Sequence, residues 1–489
     1  MSRTSFKETT IGISANAFNG NTNIDEIIIP NGVTEIYKDT FKNSSLTKLV
    51  IHENINSIDL TSLDYTSKLL EIVVSENNKN YKSINGILYN KEVSKLLIYP
   101  SSRTNYEYIM PSTVTEINEK AFRENKYLVK IILSDNLIRI NDFAFSGSYN
   151  LTEVKFNDKL EYIGIDAFRN CSKIKELFIP SSVKEIKEGA LYYMNSLNKL
   201  SVPFVSKGGL HYSISYLFGG IDKVPSTIES LHILGGDKIT KESLKGLFNL
   251  LELNIPSSIT SIEEDSFTDL GKLNKIIIDS ENVKYKMTGA ALYSMDNTIL
   301  LYYLPTAITV NYYTSPSTKV IYKNAFKDNN FLTVIELNEG LEYIGENAFN
   351  NLKNLKKLVI PQTVTKTGQD ICFFTPNVTI YSKLKVKGDN WSEGWNTLNY
   401  PTIWGAHFPK FTNVELELHL NVGDSYVVTY SIEDSPENAN VVLLSKDSLY
   451  ASVDGLTVTA LNEGIVQVEL FIEGYEDYKC VITIYIGYM

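Results

Sequence analysis

The side chains that most often carry catalysis or bind metals are few and scattered in this sequence. The five histidines are His52, His211, His232, His407 and His419. They show no metal-ligand spacing and pair with no candidate nucleophile. The three cysteines, Cys171, Cys372 and Cys480, lie far apart, and isolated cysteines of this kind are usually small core hydrophobes. We therefore predict no catalytic residue, no metal site and no cofactor.

Two further patterns also lack a chemical role. Neither Gly219-Gly220 nor Gly235-Gly236 is followed by the Gly-Lys-Ser/Thr of a phosphate-binding loop. The acidic pair Glu263-Glu264 stands in a polar turn before Ser266-Phe267, where a solvated surface is the ordinary explanation.

Composition excludes several classes of partner. The chain has 489 residues and a net charge of −11, and its five arginines form no basic run. This balance argues against nucleic acid or anionic lipid as a partner. No stretch approaches the ~18 apolar residues of a membrane span, so we predict no membrane insertion. The first residues lack the apolar core of a secretory signal. We expect either that the chain is not exported by that route or that its leader has been removed.

The elements that position these residues repeat at a fixed period. Phe122, Phe145, Phe168 and Leu191 follow one another at intervals of 23 residues, each after an alanine. An apolar triplet follows each pair, as in Leu151, Val154 and Phe156. A constant period of 20–50 residues is typical of a solenoid, whose neighbouring coils stack to bury a common core. Each coil is predicted to hold a parallel-sheet strand on one face, and a short strand plus a helical turn on the other.

The same period extends over residues 1–382, with three interruptions. Each gap is two periods plus a modest excess, which predicts a variant coil with an insertion. The insertions are expected near 75–111, 206–227 and 279–317. The first ten residues are too few and too polar to cap a stack, so we expect an upstream segment or another chain to cover that end.

The period stops at a tryptophan-rich segment, residues 383–405, which holds all three tryptophans. A stack exposes an apolar face at its last coil, so we interpret this segment as a cap. The alternative is an aromatic platform that binds sugar. After a linker at 406–411, residues 412–489 contain seven short strand patterns separated by glycine turns. That spacing predicts an immunoglobulin-like β-sandwich.

A candidate binding surface follows from the alternation of the strands. Apolar residues recur at outward positions between the buried ones and would form one stripe if the strands stack in register; they are Ile28, Val50, Val73, Ile132, Phe178, Ile277 and Val359. Lysines and glutamates flank them, and an apolar centre with a polar rim is how protein interfaces are built. Tyr302 and Tyr303 could add contacts. The alternative is that β-branched residues suit strands whatever they contact.

The repeat resembles a known family. The segment Ile174-Lys-Glu-Leu-Phe-Ile-Pro180-Ser-Ser-Val-Lys-Glu-Ile186 is similar to the BspA-like leucine-rich repeats of bacterial surface proteins, and the C-terminal region resembles bacterial Ig-like group 2 domains. The resemblance implies a right-handed α/β solenoid followed by an all-β sandwich. It also implies an extracellular or cell-surface location, and a protein or carbohydrate partner on a host, a matrix or a neighbouring cell.

These observations favour a non-enzymatic, adhesin-like binding protein, with the Ig-like domain as a spacer or attachment module. One alternative is a structural or host-recognition component of a phage or surface assembly, where Ig-like modules also occur. A less favoured one is a β-helix enzyme acting on polysaccharide, which would need charged groups clustered on adjacent coils. The sequence does not identify the ligand, the organism, the anchor or the oligomeric state.

Overall fold

The fold is a solenoid of parallel β coils joined to an all-β C-terminal region. In the computed structural model of the chain, residues 3–4, 6–7, 9–204, 206–207, 210–211 and 213–487 are described. They form two compact units. Unit 1 comprises Met1–Lys356, Thr363–Val378 and Asp389–Asn399, and unit 2 comprises Lys357–Gln362, Thr379–Gly388 and Tyr400–Met489.

One face of unit 1 carries the longer strands, which we call the front sheet. They pair in parallel within four groups. The strands are Arg3–Thr4, Glu26–Ile28, Lys48–Ile51 and Glu71–Val74; Glu107–Ile109, Lys130–Ile132 and Glu153–Lys155; Glu176–Phe178, Lys199–Val202, Ser230–Ile233, Glu252–Ile255 and Lys275–Ile278; and Asn311–Tyr313 and Val334–Glu336.

The opposite face carries the shorter strands, the back sheet, also in four groups. They are Glu35–Ile36 and Ser57–Ile58; Tyr81–Ile84, Ile87–Asn90, Lys95–Ile98, Glu116–Ile117, Arg139–Ile140, Tyr162–Ile163 and Glu185–Ile186; Lys238–Ile239 and Ser261–Ile262; and Tyr285–Thr288, Ala291–Ser294, Ile299–Tyr303, Val320–Ile321, Tyr343–Ile344, Lys366–Thr367 and Asn390–Trp391.

Two insertions add antiparallel strands to the back sheet. In the first, Tyr81–Ile84 and Ile87–Asn90 form a hairpin, whose second strand pairs with Lys95–Ile98. The second insertion repeats this arrangement at Tyr285–Tyr303. In the middle insertion, predicted near 206–227, residues 208, 209 and 212 lie outside the described residues. Its remaining elements are the strands Ser206–Lys207 and Leu210–His211, the α-helix Ile214–Leu217 and the 3-10 helix Ile221–Lys223.

A ladder of stacked rings runs through the core. The centroid of Phe145 lies 4.7 Å from that of Phe122 and 5.0 Å from that of Phe168. All three rings are fully buried. Tyr99 and Tyr303 continue the ladder inside the two insertions, because each stands 23 residues before the next phenylalanine and stacks on it.

The predicted helical turn beside this ladder is wrong. Among the described residues, Ile214–Leu217 is the only α-helix, and the Ala-Phe segments are successive turns. The residue before the alanine has a positive φ in coil after coil, for example 59° at Lys120 and 52° at Asp166, which interrupts a right-handed helix. The amides bond between coils instead, as from Phe122 N–H to the Ala144 carbonyl at 2.7 Å.

Unit 2 combines three strands of the repeat type with the C-terminal strands. Lys357–Ile360, Thr379–Ser382 and Thr402–Trp404 pair in parallel. A second sheet consists, in spatial order, of Glu417–Leu420, Cys480–Ile486, Gly464–Ile472 and Val441–Ser445. A third consists of Ser425–Val427, Thr457–Ala460 and Ala451–Asp454. In addition, Lys410–Thr412 pairs with Ser431–Glu433. The 3-10 helices Leu60–Leu63, in unit 1, and Glu476–Tyr478 complete the elements. Side chains of both larger C-terminal sheets, including Leu418, Val458 and Ile484, share one apolar core.

Candidate functional site

The register of the front sheet aligns outward side chains from successive coils. In the longest group, the outward positions form one row: Phe178, Ser201, His232, Asn254 and Ile277. Successive positions in the row are 22 or 23 residues apart, except for 31 across the middle insertion. Positions distant in sequence thus become neighbours at the ~4.8 Å spacing of paired strands.

Alternating charges border the row. Lys275 Nζ lies 3.0 Å from a Glu252 carboxylate oxygen, and His232 Nε2 lies 3.6 Å from the other oxygen. The hydrogen bond from Lys275, followed by that from Asn254, lowers the pKa of Glu252. In the preceding group Lys130 lies 3.2 Å from Glu153. These cross-strand pairs place opposite charges next to one another along the border.

The front sheet is broken between two consecutive coils. Strand pairing joins Lys130–Ile132 to Glu153–Lys155, and Glu176–Phe178 to Lys199–Val202. Among the described residues no strand pairing joins Glu153–Lys155 to Glu176–Phe178. The back face of the same coils remains bonded, with the Phe145 amide 2.7 Å from the Ala167 carbonyl. The two coils are therefore splayed on the front side only.

The side chain at position 156 accounts for this break. The neighbouring coils place Leu133 and Ile179 there, and both are buried. Phe156 is only half-buried, and its ring meets Phe168 edge-on at 5.9 Å. A larger ring in the space of an aliphatic side chain displaces the backbone around it, so we infer that Phe156 keeps the two strands apart.

The break opens a groove of about 640 Å³ on the front sheet. Phe178 is 56% exposed there and provides an apolar surface beside Ser201 and His232. The charged lining residues are Glu153, Lys173, Lys175, Glu176 and Lys199. The volume is within the ~300–1,000 Å³ range of ligand sites, and three ammonium groups face two carboxylates in a protein that is acidic as a whole.

The predicted binding residues are exposed, half-buried or buried. Phe178 and Ile277 are exposed, and Ile28, Val50, Val73 and Ile132 are half-buried on the front sheet. The register aligns Ile28 with Val50 and Val73, but the sheet is divided into separate groups, so the row is not one continuous stripe.

Three predicted contacts are wrong because their side chains are buried. Tyr302 is 3% exposed, and its hydroxyl donates to the Leu270 carbonyl at 3.0 Å. Tyr303 is a rung of the aromatic ladder and stacks on Phe326. Val359 is 3% exposed within unit 2. Tyrosine is amphipathic, and at both positions the insertion uses its ring to fill the core.

Sequence reasoning missed His232, Lys173 and Lys175. His232 was hidden because the middle insertion shifts its coil out of the 23-residue count. The sequence did hold a signal for the groove, namely a phenylalanine at 156 where adjacent repeats have Leu133 and Ile179.

The possible metal ligands and the buried thiols are the remaining reactive groups in the described part of the chain. No group of three or more His, Cys, Asp or Glu residues is placed to hold a metal ion. Burial raises the pKa of the Cys171 and Cys372 thiols, which keeps them protonated. No helix in the described ranges is long and apolar enough to cross a membrane.

A family model identifies the type of repeat. A family model described as the BspA type leucine rich repeat region matches six copies, over residues 1–108, 99–208 and 237–379. The chain is similar to the pneumococcal vaccine antigen PcpA, with 20% identity over 53% of this chain and 68% of that one, and a TM-score of 0.42. A leucine-rich repeat protein from Eubacterium ventriosum has 21% identity over 79% of this chain and 71% of its own, and a TM-score of 0.33. A leucine-rich cell surface protein from Faecalibacterium prausnitzii has 20% identity over 57% of this chain and 60% of its own, and a TM-score of 0.37. No curated protein matches the chain.

Proposed function

Because the chain belongs to the BspA-type leucine-rich repeat family, we propose that it is a non-enzymatic, adhesin-like binding protein of the bacterial cell surface. The front sheet of unit 1 is the proposed interaction surface, and the groove at Phe178 is its centre. The ligand is a protein or a carbohydrate on a host, a matrix or a neighbouring cell. The observation that carries the proposal is the break in the sheet, which exposes an aromatic ring among aligned charged side chains.

The charges in the groove favour recognition over catalysis. Glu153 is paired with Lys130, and Lys173, Lys175 and Glu176 are exposed. Catalytic acids and bases are normally buried or crowded so that their pKa values shift. Solvated charges around an apolar centre suit a binding rim, where they set specificity and the rate of association.

The C-terminal region has a proposed role as a spacer or attachment module. We propose that residues 412–489 are an Ig-like sandwich, with 406–411 as a linker and 383–405 as the cap of the repeats at 1–382. The shared core of two sheets supports the sandwich. Trp391 and Trp395 are buried and Trp391 donates to the Val364 carbonyl at 3.0 Å, which supports a cap rather than an open sugar platform.

A substitution at the exposed ring tests the binding surface. The full chain is applied to a glycan array and used in pull-downs from host cells and extracellular matrix, and then compared with Phe178→Glu. We expect the recovered ligand to lose at least about tenfold in affinity, since a carboxylate replaces an apolar contact of more than ~1.4 kcal/mol.

The control is Phe248→Glu. Phe248 is 54% exposed, close to the 56% of Phe178, but it lies in the turn before Glu252–Ile255 and does not line the groove. Binding should survive this change. Equal losses in both variants, or unchanged binding in Phe178→Glu, would contradict the proposed site.

A further inference from the structure

The two back-sheet insertions are copies at a constant offset of 204 residues. Tyr81 corresponds to Tyr285, Tyr99 to Tyr303 and Phe122 to Phe326. The bonding is also repeated: the Tyr81 hydroxyl accepts from Ile58 N–H at 3.0 Å, and that of Tyr285 accepts from Ile262 N–H at 2.9 Å. Each copy therefore serves as a structural reference for the other.

In both copies the coil of the insertion lacks the protruding Ala-Phe turn, which leaves a gap between the turns before and after it. The second copy fills that gap. Tyr302 is buried there, stacks on Phe267 at 4.9 Å and bonds to the Leu270 carbonyl, and only about 10 Å³ of space remains.

The first copy leaves the gap open. The residues that correspond to Phe267 and Tyr302 are Leu63 and Ile98, and both line a cavity of about 270 Å³. Two aromatic rings are thus replaced by two aliphatic side chains, while the tyrosines at 81/285 and 99/303 are the same in both copies. The cavity is at the small end of ligand sites, which begin near ~300 Å³, so it suits one short chain or ring.

The charges around this cavity select the kind of ligand. Four carboxyl groups and two cations line it: Asp59, Asp64, Glu119, Glu124, Lys120 and Arg123. Lys120 Nζ lies 3.3 Å from both Asp64 and Glu119, and the Arg123 guanidinium lies 4.2 Å from the centroid of the Tyr65 ring. With both cations engaged, the walls keep an excess of two negative charges over an apolar floor.

We propose that this cavity binds a primary ammonium group carried on a short apolar stem. The stem would occupy the space that Tyr302 fills in the second copy, and the ammonium would meet the excess carboxylates at the rim. Such a group can come from a free alkylamine or from a lysine side chain of a partner peptide. The site lies among the turns, so it is independent of the front-sheet groove.

Titration of the full chain with three probes tests the proposal. The probes are n-hexylamine, Nα-acetyl-lysine amide and the neutral n-hexanol, followed by ligand-observed NMR and calorimetry. We expect at least one amine to bind about tenfold or more tightly than hexanol, with an affinity that falls as salt rises. Preference for hexylamine identifies a free amine, and preference for the lysine derivative identifies a peptide side chain. Equal binding of hexanol, or no binding of either amine, would overturn the proposal.

A cavity-filling variant locates the binding. Ile98→Tyr reproduces the side chain of the second copy and should lower the affinity for the preferred amine at least about tenfold. Ile98→Val should preserve that affinity. If thermal melting shows that Ile98→Tyr is unfolded, the double variant Leu63→Phe/Ile98→Tyr, which recreates the stacked pair, is used in its place. Amine binding that persists in a folded, filled variant would place the ligand elsewhere and refute this cavity as the site.

Discussion

The ring of Phe145 lies between those of Phe122 and Phe168 at 4.7 and 5.0 Å and is fully buried. Phe178, only a coil and a half further along the chain, is 56% exposed. The same residue type thus serves the core at one position of the repeat and the surface at another, because strand alternation and the coil period decide which way each side chain faces.

Truncation separates these two roles. We expect Phe145→Ala to lower the free energy of unfolding by about 3–5 kcal/mol, since it removes a buried ring and leaves a cavity. Phe178→Ala should change it by no more than ~0.5 kcal/mol. Urea unfolding of both variants, followed by circular dichroism, measures the difference. Similar values for the two would show that the ladder does not hold the coils together.

The contacts of the Asp434 carboxyl make the stability of unit 2 depend on pH. Burial by itself would raise the pKa of this carboxyl, but Lys383 Nζ at 2.9 Å, the Phe408 amide at 3.0 Å and His407 at 3.2 Å hold it below its usual value. A carboxyl whose folded pKa is depressed stabilises the fold above its unfolded pKa, and that contribution disappears as the pH falls through the folded value.

We therefore expect the stability of unit 2 to decline as the pH drops from about 5 to below 3.8, its ordinary value. Asp434→Asn should be less stable at pH 7 and should remove part of that decline. Thermal melting between pH 3 and 7 measures it, with the exposed Asp454→Asn as the control. An unchanged pH profile in Asp434→Asn would rule out this carboxyl as the source.

At the scale of the element, the break in the front sheet depends on the size of one side chain. Phe156 takes the position at which the neighbouring coils bury Leu133 and Ile179. The strand before it, Glu153–Lys155, does not pair with Glu176–Phe178. We expect Phe156→Leu to close the gap and restore the parallel pairing of Glu153–Lys155 with Glu176–Phe178.

Hydrogen exchange measures that closure. The amides of Glu176 and residue 156 should exchange more slowly in Phe156→Leu, because they gain the inter-coil bonds that Glu153 and Leu133 make in the preceding coil. Ligand binding at the groove should fall although Phe178 is intact. Unchanged exchange at both amides would mean that another contact holds the strands apart. Phe156→Tyr, which keeps the ring, is the matched control.

The period predicted much of this arrangement, and the exceptions have physical causes. A fixed spacing is enough to predict the register of Phe122, Phe145 and Phe168, and it would also have found Tyr99 and Tyr303. The turns were mistaken for helix because the amides bond between coils, which local propensity does not describe. The break at Phe156 and the burial of Tyr302 depend on the volume of neighbouring side chains, which the period does not record.

At the scale of the whole molecule, the two compact units differ in what covers the repeat-type strands. In unit 2, Lys357 Nζ lies 4.1 Å from the ring centroid of Phe408 and 3.1 Å from the Tyr478 hydroxyl. Val359 on the same strand is buried. Phe408, which precedes the C-terminal strands, and Tyr478, in the 3-10 helix Glu476–Tyr478, therefore lie over this strand of unit 2, whereas Phe178 in unit 1 is 56% exposed.

Removal of residues 407–489 should expose this strand. We expect amide exchange and oxidative labelling to rise across Lys357–Ile360, since Phe408 and Tyr478 no longer cover it. Both should remain unchanged across Lys48–Ile51, which serves as the internal control. Equal protection of Lys357–Ile360 with and without the C-terminal strands would contradict this account.

The seam between Glu153–Lys155 and Glu176–Phe178 also bears on how the repeat stack carries mechanical load. Neighbouring coils within 107–278 are joined on the front by sheet pairing, whereas at the seam the coils are joined by the covalent chain, the back-face bonds and the stacked rings. If the protein attaches a cell to a surface, as proposed above, the pulling force would act on every coil, and within 107–278 we expect the front strands to separate first at the seam. A ligand bound across both strands would join them, so ligand binding would make the repeat stack harder to extend at this position.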